Sequence, residues 1–188
     1  NAAPPRRLWT AANTSGATIV PGLLGGAPGV ACRRVEPTVL PVVERLAVLD
    51  GEGRERWQAT TGPLGWNDVL AGDFDGDGVP DLVVQWGSPT DVAVRTTAVA
   101  GATGAVLWTQ TTSAAEARFP SGMAVADWDG DGRDDVIFHH YGLRVLSGRD
   151  GAQIGLGGPT AVPYWVPTLP DVTGDRAPEG VPHGGLSP

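Results

Sequence analysis

Two nine-residue stretches hold most of the chemistry open to this chain. "DFDGDGVPD" places Asp73, Asp75, Asp77 and Asp81 at positions 1, 3, 5 and 9, and "DWDGDGRDD" repeats the pattern with Asp127, Asp129, Asp131 and Asp135. Four carboxylates crowded on one tight loop repel each other, and some protonate unless a counter-charge is present. A hard divalent cation supplies it. Ca2+ takes about six to eight oxygens at roughly 2.3–2.6 Å, which alternating acids can offer. The carbonyls of Val79 and Arg133, at position 7, are expected to complete the two shells. Gly78 and Gly132, at position 6, are expected to permit the sharp turn, where a Cβ would obstruct the backbone. A weaker third copy, "DVTGDRAPE", offers Asp171, Thr173, Asp175, the Ala177 carbonyl and Glu179, but Arg176 replaces the glycine and brings positive charge.

Spacing and residue types exclude an EF-hand and a zinc site and make Mg2+ the weaker choice. An EF-hand needs Glu at position 12 and flanking helices; here position 12 is Val84 or Phe138, and the flanks are strand-like. Mg2+ prefers octahedral, water-rich sites, and Zn2+ lacks its His and Cys ligands. No nucleophile elbow, phosphate loop or His-Glu zinc motif appears. His139 and His140 are adjacent on a strand-like run, so their side chains point to opposite faces and cannot chelate one ion together. Cys32, the single cysteine, reads as a small buried hydrophobe. No catalytic residue is expected, and the chain reads as a non-enzyme.

The elements that carry these loops follow from a repeat. Asp73 and Asp127 are 54 residues apart, and Asp127 and Asp171 are 44 apart. A second marker recurs out of phase: Trp9, Trp57 and Trp108 are separated by 48 and 51 residues, and Ile154 holds the Trp place in a weaker fourth copy. Each unit reads as a short strand ("NDVLAG", "GMAVAD"), an Asp loop and an apolar strand ("DLVVQW", "DVIFHH"). A third strand follows ("VRTTAVA", "LRVLSG"), then a Gly turn and a strand ending in Trp ("AVLWTQ"). With 28 Gly and 17 Pro, and no helical periodicity, the chain favours turns over long helices. Four short strands about every fifty residues predict an all-β fold, a β-propeller with blades of four antiparallel strands. One domain over 1–188 is expected, with units near 10–57, 58–108, 109–154 and an incomplete 155–188. That is about three and a half to four repeats, either a small ring closed by joining its two ends or, the favoured reading, a segment of a larger propeller or assembly. Aligning Pro28 with Pro80 puts Pro21, Leu23, Gly25 and Gly29 in the four Asp places, so the first unit is expected to keep the blade shape and bind no ion.

The repeated Trp9, Trp57 and Trp108 are assigned to packing between blades, and Phe74 and Trp128 share a packing role at loop position 2. Trp66, Trp86, Trp165 and Tyr141 follow no clean register, which makes them candidates for a ligand surface.

Net charge is −8, but nine acids lie in the two loops, and outside them the remaining 12 of 21 face 12 of the 13 arginines, Arg133 lying within the second loop. Local acidity of that kind suits cations held in loops. No basic stripe suggests nucleic acid, and no apolar run approaches the ~18 residues of a membrane span. The opening "NAAPPRRLW" reads as that of a processed or excised segment.

The loop and the ending "DLVVQWGSP" resemble an FG-GAP or VCBS-type repeat, as in the N-terminal propeller of integrin alpha subunits and many secreted bacterial proteins. Gly65 precedes the first loop, and Gly87, Ser88 and Pro89 stand where that family has Gly-Ala-Pro. Gly122 precedes the second loop, but "HHYG" replaces the Gly-Ala-Pro after it. The resemblance implies a propeller with Ca2+ in its blade hairpins, and no single activity. Three functions stay open. The first is a secreted or cell-surface module that binds a protein or glycan. The second is part of a secreted polysaccharide-degrading enzyme similar to rhamnogalacturonan lyases. The third is a subunit that self-assembles as a homo-oligomer or belongs to a larger parent chain. Millimolar extracellular calcium favours the first.

Overall fold

Short aliphatic and β-branched runs, cut by Gly and Asp turns, have nowhere to go but into strands. A computed structural model describes residues 11, 14–36, 43–62, 69–86, 93–113, 121–139, 143–156, 168–169 and 179–180. Among them there is no helix.

Twelve strands form three four-stranded antiparallel sheets, each paired in chain order. The first holds β1 (Thr14–Leu24), β2 (Ala27–Glu36), β3 (Val43–Leu49) and β4 (Glu55–Gly62). The second holds β5 (Val69–Gly72), β6 (Asp81–Trp86), β7 (Ala93–Val99) and β8 (Val106–Ser113). The third holds β9 (Ser121–Ala126), β10 (Asp135–His139), β11 (Leu143–Leu146) and β12 (Gln153–Leu156). A short pair, β13 (Thr168–Leu169) and β14 (Glu179–Gly180), follows. The fold is therefore all-β and built from four-stranded antiparallel units. The described residues trace no closed ring.

The sheets stack through apolar layers. Leu46 and Val48 of the first sheet pack with Leu82, Val84 and Trp86 of the second. From the other face of β6, Val83 packs with Val136 and Phe138 of the third. Both faces of β6 are thus covered, and all six of its residues are buried. That is why "DLVVQW" reads as a continuous apolar run rather than an alternating one. The first strands of successive sheets are neighbours, β5 lying beside both β1 and β9.

The first unit keeps the four-stranded sheet of the other two but differs in its first hairpin. It keeps a β1–β2 hairpin, but no nine-residue loop opens in it. Pro21 and Leu23 lie within β1, Gly29 lies within β2, and the turn is confined to Gly25 and Gly26. Both turn glycines have positive φ, 63° and 96°. Without mutually repelling carboxylates nothing holds the hairpin open, and Leu23 seats fully buried against Gly29 instead.

Candidate metal centre

The two Asp loops join the first and second strands of the second and third sheets. In each, the position-1 carboxylate organises the turn. Asp73 Oδ1 accepts the N–H groups of Gly76 (2.8 Å) and Asp77 (3.1 Å), and its Oδ2 accepts that of Gly78 (2.9 Å). Asp127 repeats this, with Oδ1 accepting from Gly130 (2.8 Å) and Oδ2 from Gly132 (3.0 Å). The chain can wrap so tightly because positions 4 and 6 are left-handed: φ is 78° and 80° at Gly76 and Gly78, and 76° and 88° at Gly130 and Gly132.

Position 9 is the buried anchor. Asp81 and Asp135 are each 1 % exposed at the start of β6 and β10. Asp81 Oδ2 accepts the N–H groups of Phe74 (3.0 Å) and Asp75 (3.2 Å), and Oδ1 accepts that of Gly101 (2.9 Å), in the β7–β8 turn. Asp135 is held likewise by Trp128 (2.9 Å) and, from the β11–β12 turn, by Gly148 (2.9 Å). Burial pushes the Asp81 carboxyl up to about 6; the N–H of Gly101 pulls against this, and the charge of Asp75 adds to it. Burial raises Asp135 too, opposed by the N–H groups of Gly148 and Trp128. A carboxyl in that state is one a cation would ionise with profit, since a nearby positive charge favours the charged form.

Three acids converge in each loop. Asp73, Asp75 and Asp81 each offer a carboxylate oxygen, all within 4.8 Å of one another, and Asp127, Asp129 and Asp135 do the same. Every donor is a hard oxygen, the set suited to cations such as Ca2+ or Mg2+ rather than to softer metals. The oxygens that accept N–H bonds keep further lone pairs, so these residues fit a metal ion. Position 5 stands outside both triads: Oδ1 of Asp77 accepts the Val79 N–H (2.7 Å), and Oδ1 of Asp131 accepts that of Arg133 (2.9 Å).

No family model, curated protein or solved structure matches the chain. Its chemistry is read from these loops and their supports.

Of the third copy, Asp171, Thr173, Asp175 and Ala177 lie outside the described residues, and Glu179 opens β14. Trp66, Tyr141 and Trp165 also lie outside them. Trp86, expected at a ligand surface, is instead 3 % exposed within the layer between the first and second sheets. The reason is alternation: Trp86 follows Leu82 and Val84 on one face of β6. Phe74 and Trp128 both pack, Phe74 edge-on to Trp108 with ring centroids 6.4 Å apart, and Trp128 against the apolar patch around Ile137.

Sequence reasoning missed Gly101 and Gly148 as parts of the site. Each gives its N–H to the buried Asp and its carbonyl to the indole N–H of a Trp in the preceding sheet, Trp57 to Gly101 (2.8 Å) and Trp108 to Gly148. The chain passes so close that a Cβ on either would lie 1.8 Å from a backbone oxygen, that of Pro80 or Asp134. The available signal was Gly51, Gly101 and Gly148 recurring six or seven residues before the Trp or Ile position.

Proposed function

We propose that the chain is a calcium-binding β-propeller module that works outside the cytoplasm as a non-catalytic unit for binding, adhesion or scaffolding. The observation that carries this reading is the pair of Asp triads, matched position for position on two successive sheets. An oxygen-only donor set of alternating carboxylates suits Ca2+ better than Mg2+, which demands near-ideal octahedral geometry and keeps its water. Four-stranded sheets in chain order, apolar layers between them and neighbouring first strands support a propeller of the FG-GAP kind. When bound, the ion supplies the positive charge that lets the loop acids ionise side by side. The chain's own part is to hold Asp73, Asp75 and Asp81, and their counterparts, within reach of one point. A rigid loop edge of this kind can present a surface to a protein or glycan.

The test is thermal unfolding of metal-stripped protein with added Ca2+ or Mg2+. Ligand at a hundredfold its Kd adds about 2.7 kcal/mol per site, and each kcal/mol shifts Tm by roughly 2–4 °C at this size. Calcium should raise Tm well above the magnesium value, and Asp75→Asn and Asp129→Asn should each remove part of the rise. An unchanged melting curve on adding calcium to demonstrably stripped protein would overturn the reading.

A further inference from the structure

We propose that the two loops do not bind their ions independently: an ion in the 127–135 loop strengthens binding in the 73–81 loop through Asp134. This rests on the calcium reading above and adds a regulation to it.

Asp134 belongs to neither triad. It reaches across to the second sheet and holds both backbone polar groups of Asp73. Its Oδ2 accepts the Asp73 N–H (2.8 Å), and its own N–H donates to the Asp73 carbonyl (2.9 Å). The approach is close: a Cβ on Gly72 would lie 2.9 Å from Asp134 Oδ2 and 2.5 Å from Val125 Cγ1. Beside it, Arg133 Nη1 donates to the Phe74 carbonyl (3.4 Å), and its guanidinium lies over Gly76. Thus the backbone of the first ligand of one loop is clamped by the residue next to the last ligand of the other.

The same position in the 73–81 loop is Pro80, whose ring carbons would lie 3.6 and 3.7 Å from a Cβ on Gly22 of the first sheet. Proline has neither an N–H nor a side-chain acceptor. The polar clamp therefore operates between the second and third sheets and is not repeated between the first and second.

An ion in the 127–135 loop fixes Asp135, and with it Asp134. Asp73 is then already ordered when its own ion arrives, so the second binding event bears less of the ordering cost. Linkage makes the effect reciprocal, and couplings of this kind typically change affinity by about 5–150-fold. Repulsion between the two ions opposes it, and the negative charge of Asp134 between the loops screens that repulsion.

The experiment is calorimetric titration of the full chain with Ca2+. Asp129→Asn isolates the first loop, and Asp75→Asn isolates the second. The wild-type isotherm should be tighter than the sum of the two single-loop isotherms, by about fivefold or more in first-loop affinity. Asp134→Ala should still bind two ions but match the sum. Asp134→Asn, which keeps an acceptor oxygen, should retain the coupling. A wild-type isotherm equal to the sum, or full coupling in Asp134→Ala, overturns the proposal. Absence of any calcium binding by the wild type is a different result, and it takes down the metal reading itself.

Discussion

At the scale of single residues, Asp81 sets a pH dependence whose sign is opposite with and without metal. Its folded carboxyl titrates at about 6, above its ordinary value of 3.8, so the folded state binds the proton more tightly than the unfolded one. In metal-stripped protein that contribution to stability is complete below about pH 4 and is lost as pH rises through about 6. Asp135 and Glu44, both raised by burial, act in the same direction. Melting of the chelated protein between pH 4 and 7 should show stability declining with pH, with a shallower decline in Asp81→Asn. In saturating calcium protons compete with the ion, and stability should instead rise with pH over that range. Gly101 belongs to this scale too. Gly101→Ala drives a Cβ to 1.8 Å from the Pro80 carbonyl, so a loss of about 4 kcal/mol or more is expected in urea unfolding. The convergence of Asp73, Asp75 and Asp81, and of Asp127, Asp129 and Asp135, was legible because each set lies within nine residues of one repeated pattern. The Gly101 contact was not, because its partner Asp81 lies 20 residues away and only the folded hairpins bring them together.

Between elements, the Trp on the fourth strand of the first and second sheets is an inter-sheet contact. Trp57 of β4 donates to Gly101 and lies against Gly104, where an added Cβ would come within 2.5 Å of the indole. Trp108 of β8 repeats this on Gly148 and Gly151, at 2.6 Å. Gly104 and Gly151 share a left-handed φ of 73°, so two constraints call for glycine there. Trp57→Phe keeps a ring but loses the hydrogen bond and should cost about 1–2 kcal/mol. Trp57→Ala should cost about 3–5 kcal/mol. Chemical denaturation of both variants checks the order. The roughly fifty-residue Trp spacing made this packing role readable. The receiving glycines were not paired with it, because their partners sit in a neighbouring unit. Trp86 shows the reverse limit. It looked irregular against a repeat ruler, whereas a period of two along β6 places it in the core.

Over the whole molecule, the all-β architecture was plain from short apolar runs between glycine turns. The closed first hairpin was not. Alignment carried the loop's outline from the other units, whereas the absence of charge lets Leu23 bury and the strands zip to Gly25 and Gly26. This hairpin has no counterpart of the Asp triads in the other two. Removing calcium should therefore release amide-exchange protection around 73–81 and 127–135 while leaving β1–β2 protected, as hydrogen exchange can measure. The Trp-to-Gly contacts carry a consequence of their own. They run in one sense, from the fourth strand of one sheet to the last turn of the next, so the second sheet has both a receiving and a donating end. In polymer terms the units are related monomers joined head to tail. A duplicated unit spliced between two others would meet a matching surface on each side at once. Growth of such an array by tandem copying requires no new interface to be invented.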